Sequence, residues 1–315
     1  VLSAPFEIEN YIIESTPSIG ISLYPSHEED PNKLIIFADA AMYQAKNQGG
    51  NSYVLYYEGL HETYNERLMV ESHLREALEK NEFKIVYQPQ LDLHTKEIIG
   101  LEALLRWENE ELGLVEPQKF IKIAENSGLL LSIGEWVLNT VCSQTKFLQD
   151  AKKNLKISVN ISTMQFNHGL LEVLKKALDK HKYDPACLEL QINESAVMDK
   201  TDMATKLLED IKTLGVHVCL DDFGSEAISL TKLKDLNISC LSIDPNITKS
   251  IISDEVSASM VEAIIKIAHA LKLTVTAVGI ENDEQIELLK KFNADKMQGY
   301  FLSYPVPSEL LGTLL

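Results

Sequence analysis

The chain has 315 residues, 45% of them hydrophobic and 24% charged, and a net charge of −18. That length holds one large domain or two around a substantial core. The acidic excess repels phosphate and so excludes nonspecific adhesion to a nucleic-acid polymer or an anionic membrane surface. A phosphate-bearing ligand must be received by metal ions or local arginines.

No run approaches the roughly 18 apolar residues of a membrane span. No basic segment followed by an apolar one marks an export signal, so no membrane contact is expected and the expected location is cytoplasmic. The chain begins at Val1 and not Met, which leads us to expect sequence upstream, with room for a sensory domain. Cys142, Cys187, Cys219 and Cys240 are widely spaced in apolar surroundings, the pattern of reduced core residues.

In chain order, residues 1–57 read as strand, strand, helix and strand: "PFEIENYII", "STPSIGISLYP", "LIIFADAAMYQAKNQ" and "NSYVLYY". Such a unit is too small to be stable alone. Residues 58–78 follow as a linking helix, with Leu60, Tyr64, Leu68, Leu74 and Leu78 among charges, a stripe that reads as packing.

From residue 79 onward β-rich runs alternate with amphipathic helical ones. The strands are expected at 83–90, 100–107, 155–162, 187–194, 216–222, 239–244, 273–279 and 294–300. Eight strands over about 235 residues is the size of a (β/α)8 TIM-like barrel. Only about nine residues separate the first two, too few for a crossover helix, so the first strand is expected to be antiparallel.

Alternation along these strands sorts the side chains into a lumenal set and a helix-facing set. In "LKISVNIS", Leu155, Ile157, Val159 and Ile161 face the helices, and Ser158 and Asn160 face the lumen. The same parity turns His217, Cys219 and Asp221 inward, together with Glu102, Arg106 and Gln88. Glu194 shares the register of apolar Leu188, Leu190 and Ile192, so it must lie past the regular strand to reach the lumen.

Glu102, Asn160, Glu194, Asp221, Asp222 and Asp244 thus gather at strand ends, where such barrels build active sites. Converging carboxylates repel one another unless a cation neutralises them, and oxygen donors of this kind suit magnesium, manganese or calcium. The alternative is a set of solvated helix caps, because Asp and Glu often follow strands before helices. A lone histidine such as His217 in an apolar strand reads as a core residue.

The run "YQPQLDLHTKEIIGLEALLRW", followed in order by "VNIS", "LELQINES", "LDDFG" and "MQGYFLSYPVP", strongly resembles the EAL-type cyclic-di-GMP phosphodiesterase family over residues 79–315. Residues 1–57, through "SIGISLYP" and "ADAAMYQAKNQGGN", resemble the C-terminal portion of a GGDEF-type diguanylate cyclase domain. The loop that names that domain is absent, and Gly50 stands where the family usually has arginine, so no cyclase activity is expected of it.

The EAL resemblance implies a barrel that binds cyclic di-GMP and, with two divalent cations, opens one phosphodiester to the linear dinucleotide. By position it makes Glu102, Asn160, Glu194 and Asp221 ligands of the first metal, and Asp221 with Asp222 ligands of the second. Gln88, Leu105, Arg106, Asp244, Glu281 and Gln298 correspond to residues that contact or line the dinucleotide site. A homodimer through the barrel domain is a further expectation.

The sequence departs from the family at the second metal and the attacking water. Val278 stands where a glutamate serves as metal ligand and proposed general base, and Ser242 where a lysine orients water. Ser225-Glu226-Ala227-Ile228-Ser229 replaces a loop that shapes the second metal site. The expectation is therefore a degenerate site that binds cyclic di-GMP with at most one divalent cation and impaired hydrolysis. An active phosphodiesterase and a non-binding regulatory scaffold are the alternatives.

Overall fold

A computed structural model describes residues 6–8, 11–13, 16–151, 155–198, 201–225 and 229–314, so the altered positions 226–228 lie outside the described residues. The chain divides into two compact units, Val1–Glu76 and Ala77–Leu315.

The first unit contains β1 (Phe6–Ile8) and β2 (Tyr11–Ile13), an antiparallel pair, where the sequence reads as one strand through residue 13. Parallel strands β3 (Ser18–Ile21) and β4 (Ser52–Leu55) flank α1 (Pro31–Asn47). Asp30 starts that helix by accepting the Asn32 amide at 2.9 Å. Gly20 lets helix and sheet approach, because a Cβ there would lie 1.9 Å from the Ala38 carbonyl oxygen. α2 (Leu60–Glu76) packs Leu60 with Ala40 and Ala41, donates the Tyr64 hydroxyl to Asp39, and lays Arg67 3.5 Å over the Tyr43 ring.

The second unit is a closed barrel. Its strands are β5 (Phe83–Asp92), β6 (Ile98–Asn109), β8 (Lys156–Ile161), β9 (Leu188–Asn193), β10 (His217–Phe223), β11 (Cys240–Ile243), β12 (Thr274–Val278) and β13 (Lys296–Gln298). Pairing runs β5-β13-β12-β11-β10-β9-β8-β6 and returns to β5. The neighbours from β6 round to β13 are parallel, and β5 is antiparallel to both β6 and β13. Two short strands without a sequence expectation, β7 (Gly113–Val115) and β14 (Val306–Pro307), pair with β6 and β5.

The helices between strands are α3 (Pro117–Ser127), α4 (Leu130–Asp150), α5 (Gly169–His181), α6 (Glu194–Met198), α7 (Thr201–Leu214), α8 (Leu230–Asp235), α9 (Pro245–Ser250), α10 (Glu255–Ala270) and α11 (Asp283–Phe292), with α12 (Leu311–Leu314) last. Local sequence sets their ends: Pro117 opens α3, Asp254 caps α10, and Asn282 with Gln285 forms a reciprocal capping box on α11.

The core lies between strands and helices, where Leu101, Ile157, Leu188, Leu220, Leu241 and Val275 are buried. The lumen is polar: Gln88, Gln90, Ser158, Glu189, Gln191, Ser242, Thr276, Lys296 and Gln298 are buried on alternating positions. All four cysteines are buried free thiols.

Candidate functional site

The site forms around Gln298, the last residue of β13. Its amide nitrogen donates to Gln88 Oε1 at 3.0 Å and to Glu102 Oε2, and its carbonyl oxygen accepts from Gln90 Nε2 at 3.0 Å. Gln88 and Glu102 are register partners on β5 and β6, which brings both to this point. Asn160, on β8, donates to Glu102 Oε1 at 2.7 Å, and Gln88 donates to the Ser303 carbonyl at 3.1 Å. Burial pushes the Glu102 carboxyl above its ordinary range, with Asp222 adding to the rise, although Gln298 and Asn160 donate to it.

Asp221 and Asp222 are consecutive, and a regular strand would turn them to opposite faces. Instead the pairing of β10 with β11 is irregular between Leu220 and Phe223, and Asp222 has a φ of 50°, in the left-handed region. Both carboxyls are pushed up to about 6. Burial is the first cause for each; Glu102 then acts on Asp221, and Asp221 followed by Asp244 acts on Asp222.

Glu194 is buried at the start of α6, one residue past the end of β9, and its Oε1 accepts the Gly224 amide at 2.9 Å. That is the offset its strand parity demanded. Asp244, between β11 and α9, caps that helix by accepting the Asn246 amide at 2.6 Å.

Val278 ends β12 in register with Gln298, and its carbonyl accepts the Thr248 hydroxyl. Gly279 follows with a φ of 84°, and Glu281 then pairs with Lys249 at 3.2 Å. Ser242 and Lys296 are both register partners of Thr276, so the three residues occupy one level of the barrel wall. Among the described residues the buried Ser242 hydroxyl has no well-formed hydrogen-bond partner, although its approach to Asp221 offsets part of the rise there. His217 is in register with Glu189, and burial, followed by Lys156, lowers its imidazole pKa.

Leu105, Arg106 and Asn160 line a cavity of about 370 Å³ that reaches Pro117, Glu125 and Asn193. Burial lowers the Arg106 guanidinium pKa, and Nη1 donates to the neighbouring Leu105 carbonyl at 2.8 Å.

Gln90, Ser303 and Lys249 also belong to this arrangement without a sequence expectation. Gln90 shares the parity of Gln88 in "YQPQ", a signal that was present. Ser303 acts through its backbone carbonyl, which no side-chain pattern marks.

Among the described residues, no three His, Cys, Asp or Glu side chains stand close enough together to hold a metal ion as placed. Chemically, an all-oxygen set with raised carboxyls at Asp221 and Asp222 suits a hard divalent cation.

Comparison with known proteins places these features in a family. Residues 71–305 match the EAL domain, and residues 1–52 match the diguanylate cyclase GGDEF domain. The chain is 37% identical over 312 residues to the bifunctional diguanylate cyclase/cyclic di-GMP phosphodiesterase MucR of Pseudomonas aeruginosa, covering 98% of this chain and 46% of that protein. It is 33% identical over 308 residues to the cyclic di-GMP phosphodiesterase PdeR of Escherichia coli, covering 98% of this chain and again 46% of the relative. The chain thus spans under half the length of these relatives.

Among solved structures, a PaMucR phosphodiesterase in complex with c-di-GMP superposes with a TM-score of 0.75 at 36% identity, over 77% of this chain and 99% of that one. The EAL enzyme Bd1971, bound to cAMP and cyclic di-GMP, gives 0.76 at 31% identity, over 92% of this chain and 77% of that one. With the closed barrel, its antiparallel first strand and the Glu102-Ala103-Leu104 run at the lumenal rim, the chain belongs to the EAL domain family of cyclic-di-GMP signalling proteins.

Proposed function

We propose that the barrel binds cyclic di-GMP at a degenerate EAL site and hydrolyses it poorly or not at all. The observation that carries this reading is Val278, an apolar side chain in register with Gln298, where the resemblance puts a metal-binding glutamate. Ser242, one level below, supports it in the same way. Loss of a general base alone costs about 10²- to 10⁴-fold in rate. A two-metal displacement also needs both ions placed.

In this reading residues 1–57 are the C-terminal portion of a GGDEF-like domain, 58–78 the linking helix and 79–315 the EAL-like barrel domain. Glu102, Asn160, Glu194 and Asp221, with Asp222 next to Asp221, would hold one divalent cation, which would supply positive charge to a phosphodiester oxygen. Gln88 and Gln298, matched by the resemblance to residues of the dinucleotide site, form its wall through their mutual hydrogen bond. Leu105 and Arg106 line its cavity, and Asp244 and Glu281 stand at the rim. Hydrogen bonds donated by Asn160 and Gln298 hold the two Glu102 carboxylate oxygens in place, one each.

A second reading, an active phosphodiesterase yielding linear dinucleotide, is favoured by the survival of Asp244 and Glu281 as rim carboxylates and by phosphodiesterases among the relatives. One experiment separates the readings: calorimetric titration of cyclic di-GMP with calcium present, followed by incubation with magnesium or manganese and chromatography of the products. Saturable binding without linear dinucleotide is the expected result. Turnover at the family's usual rate selects the second reading, and absence of binding selects a non-binding scaffold.

A further inference from the structure

Two of the four cysteines meet inside the barrel. Cys219 on β10 and Cys240 on β11 are register partners, so their side chains leave neighbouring strands at one rung and on one face. That face is the lumen, because Cys219 shares the parity of Asp221 and Cys240 that of buried Ser242. Cys240 Sγ lies 3.4 Å from the Thr276 hydroxyl, and the site described above uses neither thiol.

Strand spacing brings the pair within bonding range. Adjacent strands stand about 4.7–4.9 Å apart, inside the roughly 4.4–6.8 Å that the Cα atoms of a disulfide span. Hydrogen bonding from Cys219 first, and then the nearby Lys296 ammonium, holds the Cys240 thiol below its ordinary pKa against burial. Burial instead raises the thiols of Cys142 and Cys187, which stand on other elements.

The surroundings of the pair are polar. Gln191, the register partner of Cys219 on β9, has a buried Oε1 without a hydrogen-bond partner among the described residues, as has Glu189 at Oε2. Buried groups of this kind are ordinarily satisfied by water. A lumen that takes water also takes hydrogen peroxide, which has similar size and polarity.

Position ties the pair to the carboxylates. Asp221 follows Cys219 by two residues on the same face, and the pairing of β10 with β11 becomes irregular just past Leu220. Register neighbours point their Cβ atoms side by side and not at each other, so a bond between them closes with local tilt. Strained disulfides of this kind are the readily reduced ones.

We propose that Cys219 and Cys240 are a reversible redox site, oxidised by hydrogen peroxide to a cross-strand disulfide beneath the carboxylate cluster. The Cys240 sulfur attacks one peroxide oxygen and the O–O bond breaks, which gives a sulfenic acid and one water. The Cys219 sulfur then attacks the Cys240 sulfur; its thiol proton leaves with the hydroxyl as a second water, and the S–S bond forms. The two thiols lose two electrons and peroxide gains them, and an external thiol reverses the change. The dithiol chemistry stands by itself, while its effect on the ligand rests on the cyclic-di-GMP reading.

The test treats the full reduced chain with hydrogen peroxide, removes the oxidant, blocks remaining thiols with iodoacetamide in denaturant and maps tryptic peptides by mass. Cys219 lies in peptide 213–232 and Cys240 in peptide 235–249. The expected product is these two peptides joined, two hydrogens lighter than their sum, with Cys142 and Cys187 alkylated; dithiothreitol separates them. In Cys219→Ser the link is lost, and dimedone added with the denaturant traps a sulfenic acid on Cys240. Alkylated Cys219 and Cys240 in the peroxide-treated wild type overturn the redox site. Cyclic di-GMP is then titrated, with calcium present, against the oxidised and the reduced wild type, and oxidation is expected to weaken binding at least about 5-fold, the low end of coupling between sites. Equal affinities overturn the link to the carboxylates. No binding by either form overturns the cyclic-di-GMP reading, and the peptide map alone then decides the redox site.

Discussion

Val278 and Gln298 are register partners at the ends of β12 and β13, one carrying only methyl groups to the rim and the other holding three amide or carboxylate partners. A carboxylate introduced at residue 278 would stand beside that network. Val278→Glu combined with Ser242→Lys is therefore expected to raise hydrolysis of cyclic di-GMP by at least about 100-fold, the lower end of what a positioned base contributes. Chromatography of the linear product measures it. A folded double variant that binds ligand and stays inert would trace the deficit to the segment after Gly224.

Gln298 is the junction of the lumenal amides, and its replacement by leucine strips a donor from Gln88 and Glu102 and an acceptor from Gln90. Leaving such buried groups unpaired costs about 1–3 kcal/mol each before relaxation. Gln298→Leu is expected to lower the urea midpoint and weaken cyclic di-GMP binding together. An unchanged midpoint would mean that the network reorganises around the apolar side chain at little cost.

The raised carboxyls at Asp221 and Asp222 fix the sign of a pH effect. In the unfolded chain both ionise near the ordinary 3.8, and in the folded protein they keep protons to about 6. Between those values the native state binds more protons, so this pair's contribution to stability falls as pH rises from about 4 to about 6 and is flat above. Calcium or magnesium at pH 7 should restore it, by about 2.7 kcal/mol at a hundred times the dissociation constant. Thermal melts of wild type and Asp222→Asn with and without cation check this. The variant should show a shallower decline and a smaller cation effect, and a wild-type melt indifferent to cation at pH 7 would remove the carboxylates from consideration as a cation site.

Gly299 touches the Ile280 backbone so closely that any side chain must displace it. Gly299→Ala is expected to destabilise the barrel by about 1–3 kcal/mol or more through overpacking against main chain, which cannot rotate away. It should also disturb the Ser303 carbonyl that Gln88 holds. Urea unfolding measures the first effect and ligand calorimetry the second.

Much of this architecture can be read from alternation alone. The eight barrel strands, the reversal of the first and the inward turn of Gln88, Glu102, Asn160 and Asp221 follow from period-two patterning and one short connection. Glu194 was legible because its register conflicted with its chemistry, and the strand does end just before it. What escaped is what alternation does not encode. Asp222 was named in the cluster from its place at a strand end, but the left-handed residue at an irregular pairing that positions it, a local break in the period, was not legible. Ser303 contributes backbone, and Lys249 meets Glu281 across two separate elements. The antiparallel pairing of residues 6–8 with 11–13 was hidden because both segments are β-rich.

The reversed strand has a topological consequence. Because Phe83 pairs with Trp107 and Leu91 with Ile98, β5 begins at the end of the barrel where its neighbours finish. In a barrel of eight like-directed strands the polypeptide would come in through the floor, far from the carboxylate cluster. Here the covalent entrance and the carboxylate cluster share one face. The entering chain therefore arrives at Gln88 within a few residues of the start of β5, without having to cross the barrel first.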